Sequence, residues 1–198
     1  MKKVLLATLI LASTSTQVLA NHHKETKHVP SAEKVMAHAP MRQQRMQELF
    51  NTGEMSVALM AVARDQMEVA IKKKDHSAVE KALQTFQAAR SLHKPNMEAM
   101  HKLSKHLQEH VADVKAGKIA LTPEQAQNFE KEVTLFVQQA KAFKADCHEN
   151  VRPKNQAMRK AALAFLTEDF AAAKKANQPE KMVHIAKIMQ LLPPFKAE

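Results

Sequence analysis

Apolar positions recur alternately three and four residues apart through Ala126, Phe129, Val133, Phe136, Ala140, Phe143 and Cys147. That spacing is a heptad seam, the mark of a helix that lays one face against a core. A weaker seam runs through Met100, Leu103, Leu107, Val111 and Val114, and another through Met182, Ile185, Met189 and Leu192. Local signals divide the chain between these seams. Ser77-Ala78-Val79-Glu80 reads as a capping box, and Thr122-Pro123-Glu124-Gln125 follows the same logic with proline at the first helical position. Pro95, Pro153 and Pro179 mark further starts, and Gly117 a stop. The pattern predicts a short helix over Pro40–Asn51 and then helices over Glu54–Lys74, Ser77–Leu92, Pro95–Ala116, Pro123–Asn150, Pro153–Ala176 and Pro179–Leu192. Short connections make sequence neighbours antiparallel, so the expected fold is all-α, an antiparallel up-and-down bundle of about six helices. Two segments, MEVAIKKKDHSAVEKALQTF and FAAAKKANQPEKMVHIAKIM, share a layout of helix, lysine-rich turn and capped helix.

Composition strengthens the helical reading: the chain has two glycines, no tryptophan and no tyrosine. It also changes the picture at the N-terminus. Lys2 and Lys3 precede an apolar run from Val4 to Ala12, and Val18-Leu19-Ala20 suits signal peptidase. This reads as a secretory leader cleaved after Ala20, and it is too short to span a bilayer. The expected division is a signal peptide over 1–20, a flexible histidine-rich tail over 21–39 and one helical-bundle domain over 40–198, in a protein that is periplasmic or secreted and not membrane-spanning.

Without Lys2 and Lys3 the chain keeps 28 basic against 20 acidic residues, a net charge of +8 with histidines neutral. The lysines are spread along every segment and the aromatics are phenylalanines, so neither a stacking platform nor a dense basic groove for nucleic acid is visible. Attraction to anionic surfaces or acidic partners is the simpler consequence of that charge.

The single cysteine stands beside a histidine in KADCHENVR, residues 144–152. Cys147 completes the heptad seam, where a free thiol acts as a small hydrophobe, and a histidine near a helix C-terminus is favoured by the dipole. Cys147-His148-Glu149-Asn150-Val151-Arg152 also resembles the second half of the C-x-x-C-H attachment motif of the four-helix-bundle periplasmic cytochromes. Lys144 occupies the first cysteine position, which excludes a haem held by two thioethers. The segment KKKDHSAVEKALQTFQAA resembles the first interhelical turn and second helix of the related b-type cytochromes. That resemblance, which covers at most residues 54–152, implies non-covalent haem with His148 as one axial ligand, Met55 or Met60 opposite it, and Cys147 beside the porphyrin. An electron-transfer partner would then be expected.

Cleavage after Ala20 would expose Asn21-His22-His23, whose amine, two amide nitrogens and third-position imidazole can wrap Cu(II) or Ni(II) in a square plane. Nearby His28, Met36, His38 and Met41 would add imidazole and thioether donors. His93, Met97 and His101 are spaced four apart, as are His106 and His110, but no acidic residue or cysteine joins them at ligand spacing, and they read as satisfied or solvent-facing. Leu121-Thr122-Pro123-Glu124-Gln125 resembles the L-T-x-x-Q motif of the Spy and CpxP periplasmic chaperones, which implies unfolded proteins as partners. The second copy expected there is incomplete, because Leu166-Thr167-Glu168-Asp169-Phe170 lacks the glutamine. With no nucleophile–base pair, glycine-rich phosphate loop or zinc signature, the expected activity is binding rather than catalysis.

Overall fold

A computed structural model describes residues 29–192, and every regular element among them is helical. The elements are α1 (Ala32–Ala37), α2 (Ala39–Lys72), α3 (His76–Lys115), α4 (Pro123–Asp146), a π-helical turn (Cys147–Val151), α5 (Arg152–Lys175) and α6 (Pro179–Gln190). The leader and the Asn21–His23 metal set lie outside the described residues. The stretch expected to be a tail up to residue 39 is helical from Ala32, because Ser31 accepts the Lys34 amide as an N-cap and Val35 is buried.

Three expected breaks do not occur. No break separates Asn51 from Glu54, because the residues between them belong to a seam: Leu49, Gly53, Ser56, Met60, Ala63, Met67 and Ala70, spaced four and three in turn, are all buried. Small and polar members hide this seam in the sequence. Pro95 sits inside α3, where flanking residues Asn96 and Met100 are buried and packing outweighs the lost amide. Pro153 follows the π-turn, in which the Arg152 amide reaches back five residues to the Cys147 carbonyl. One extra residue in the turn resets the hydrogen-bond register just before the proline, so α4 and α5 run on without a loop.

The chain runs up, down, up and down. Pairs Leu49–Asn96 and Ser56–His93 set α2 antiparallel to α3, whereas Arg42–Glu132, Phe50–Phe136 and Arg64–Asn155 set α2 parallel to the α4–α5 run. α6 folds back on α5 and α3, with Gln87 donating to the Leu191 carbonyl. Two cores result, stacked end to end. One is built from α1, the first half of α2, the second half of α3, and α4; the other from the remaining halves of α2 and α3 with α5 and α6. Phe143 packs against both.

The caps are mixed in outcome. Thr122 and Gln125 form the expected reciprocal box, which gives those two residues a local role independent of any chaperone motif. Gly117 ends α3 with φ of 71°. Asp75, not Ser77, caps α3 by accepting the Ala78 amide. The two similar segments do form matching hairpins: Lys74 and Asn177, at corresponding positions, both have positive φ, and each turn closes with paired bonds to the last helical carbonyls. Ala70 and Ala173, also corresponding, are both buried where the hairpins meet.

Candidate functional site

The two cores are separated by a polar layer. The seam of α3 continues back from Leu107, Leu103 and Met100 through Asn96 and His93 at the same three-four spacing, and the α2 seam carries Gly53 and Ser56 at that level. Asn96 Nδ2 donates to the Leu49 carbonyl at 2.8 Å, a bond that ties α3 to α2. Ser56 Oγ donates to the Gly53 carbonyl at 2.7 Å and lies 2.9 Å from His93 Nδ1. The serine proton is therefore spent on Gly53, which assigns the proton of the second contact to Nδ1. His93 Nε2 is left with its lone pair. Gly53 is needed here because a Cβ would lie 2.8 Å from the Phe143 ring.

Beside this layer α5 packs on α2 and α6, and a cleft of about 860 Å³ opens between α5 and α3. Its apolar lining comes from Met60, Phe86, Met97, Cys147 and Val151; His93 also lines it. Around these stand Arg90, Lys94, Arg152, Arg159 and Lys160, against one carboxylate among the described residues, Glu98. Burial holds Arg159 below the ordinary arginine value and the nearby Arg90 charge pushes the same way.

Of the four residues expected around a haem, the cleft gathers Met60 and Cys147. Met60 is 3% exposed, and its sulfur accepts from Asn155 Nδ2 at 3.1 Å. Burial, with Asp146 adding to it, pushes the Cys147 thiol up to about 11, so it stays protonated and apolar in character at neutral pH. His148 is turned away from the cleft, exposed, with Arg152 Nη1 3.3 Å from its Nε2. Adjacent residues of a helical turn project in different directions, so burying Cys147 sends its neighbour outward. Met55 is 44% exposed and shares the outer face of α2 with Val62 and Val69. Sequence reading missed His93 as part of a site, and the signal was present: a histidine and an asparagine continuing an apolar seam mark a polar layer inside a bundle. The cationic rim had no such signal, since its members come from two helices far apart in sequence.

Burial also depresses the His93 imidazole, and burial followed by the His106 charge depresses His110. Both groups stay neutral in the fold at a pH where the unfolded chain already takes up protons. Stability is therefore full above the unfolded value of 6.5 and declines as pH falls through it toward the lower folded values. The thermal midpoint should drop between about pH 7 and pH 5, and His93→Gln should flatten that slope. A slope unchanged by the substitution would remove His93 from the account. No protein-family model matches the chain, and neither the curated proteins nor the solved structures hold a match to it.

Proposed function

We propose that this is a non-enzymatic, periplasmic binding protein whose cleft takes haem, with His93 rather than His148 as the nitrogen ligand. The observation that carries the reading is the Ser56 contact, which presents a neutral imidazole lone pair at a cleft with an apolar floor and five cations on its rim. Haem calls for these features together: an apolar macrocycle, carboxylates that guanidinium groups can hold, and iron that accepts an imidazole. Arg90 and Arg152 would hold the carboxylates, and Phe86 and Val151 would cover the ring. Ser56 fixes the histidine tautomer, the role that a partner behind a ligating imidazole ordinarily plays. Met60 is the sulfur donor in the same cleft, already oriented by Asn155, which is itself held by Arg64 at 2.7 Å. When bound, the iron would supply reversible one-electron chemistry.

Haemin added to the purified mature chain should develop a Soret band that saturates at one equivalent. His93→Ala should weaken binding by about ten-fold or more, while His148→Ala should leave both band and affinity unchanged. A parent chain without a Soret band, or a His93→Ala chain that titrates like the parent, would overturn the reading.

A further inference from the structure

A second cleft, of about 610 Å³, lies toward the other end of the molecule, where α1 and the start of α2 meet the later turns of α3. His106 and His110, one turn apart on α3, both line it, and their ring centroids are only 4.1 Å apart at an angle of 57°. Rings this close share protons poorly: His110 is held below the ordinary imidazole value by burial and by His106, with Arg42 pushing the same way and Asp113 and Glu109 opposing. Two imidazoles one turn apart make a bidentate donor set. Met41 of α2, 65% exposed, also lines this cleft and leaves a flexible thioether in solvent at its lip.

We propose that His106, His110 and Met41 bind a cuprous ion. Thioether sulfur selects Cu(I) among the first-row metals, and Cu(I) is satisfied by two or three ligands. A closed four-ligand zinc site is not formed, for no three His, Cys, Asp or Glu side chains converge among the described residues. Charge points the same way. Arg42 is spent on Glu132 and Arg45 on Glu48, which leaves Lys34 as the cation at the cleft whose charge no described ion pair offsets. A monovalent ion suffers half the repulsion of a divalent one.

The test uses the full mature chain carrying His23→Ala, which removes the imidazole of the N-terminal nitrogen set. Under reducing, oxygen-free conditions it competes with a chromophoric Cu(I) chelator, and Ag(I) serves as a redox-inert probe for NMR. One ion should bind, with the His106 and His110 ring protons shifting on Ag(I) addition. His106→Ala, at an exposed position that leaves the fold intact, should weaken Cu(I) binding about ten-fold or more. Met41→Leu should weaken Cu(I) while leaving any residual Zn(II) affinity unchanged. Cu(I) affinity that survives the paired substitution of His106 and His110 in a chain of unchanged helicity would overturn the proposal, as would Ag(I) shifts confined to other histidines.

Discussion

Phe136→Ala should cost about 3–5 kcal/mol of unfolding free energy, the range for truncating a fully buried aromatic side chain. Phe136 is 2% exposed and meets Phe50 edge-on, with centroids 5.6 Å apart, in the core of α1, α2, α3 and α4. The cavity would open between three long helices that cannot close over it. Each is anchored beyond the site, α2 and α3 by the second core and α4 by its unbroken passage into α5. The loss therefore includes the cavity as well as the lost transfer energy. Leu135, one residue earlier, is 56% exposed, and Leu135→Ala should change stability by no more than about 0.5 kcal/mol. Urea denaturation of the two variants makes the comparison. A Phe136→Ala loss below about 1 kcal/mol would mean that this core is not packed as described.

Glu132→Met should be the next most damaging change, at about 3 kcal/mol, the lower end for removing one partner of a buried ion pair. Arg42 Nε and Nη2 each donate to a different Glu132 oxygen at 3.0 Å, and Nη1 donates to the Val35 carbonyl at 3.0 Å. The guanidinium also lies 4.8 Å from the Phe129 ring centre. Side-chain exposures of 9% and 19% mean that water cannot replace the carboxylate once it is gone, though Glu132 retains enough solvent to keep the loss from the upper end. The pair itself need not be net stabilising. Arg42→Met combined with Glu132→Met should recover most of the loss, since apolar side chains of similar volume avoid the desolvation cost. If the double variant were as unstable as the sum of the single ones, the arginine would be acting through Val35 and Phe129 rather than through the carboxylate.

Elements whose cause is local were legible in the chain itself. The seam from Ala126 to Cys147, the Thr122–Gln125 box, the glycine at 117 and the helix start at Pro179 all depend on neighbours within one or two turns, and all of them occur as the spacing implies. The helical class follows from the same signals repeated along the chain. Breaks at Gly53, Pro95 and Pro153 were not decided locally. At Gly53 and Pro95 the local cost of glycine or proline, about 1 to 3 kcal/mol, is outweighed by tertiary contacts: Phe143 against Gly53 and the burial of Asn96 and Met100 beyond Pro95. At Pro153 it is met by the register change of the π-turn that precedes it.

The candidate site divides along the same line. Cys147 and Met60 could be named because a lone cysteine and a methionine on a helix are visible one residue at a time. His93 could not be given its tautomer without Ser56, which stands 37 residues earlier and meets it only because α2 and α3 pair along their length. The same holds for Arg90 and Arg159, whose charges reinforce each other only after α5 has been set against α2 and α6. The sequence by itself therefore determined the class of fold, the heptad-packed α4 and the Thr122–Gln125 cap, because hydrogen bonding and periodicity act over a few residues. Tertiary structure alone decided where the helices run on without a break, which face of residues 147 and 148 is buried, and which imidazole keeps a lone pair in a cationic cleft. Those outcomes depend on desolvation and on charges from segments that come together only in the packed molecule.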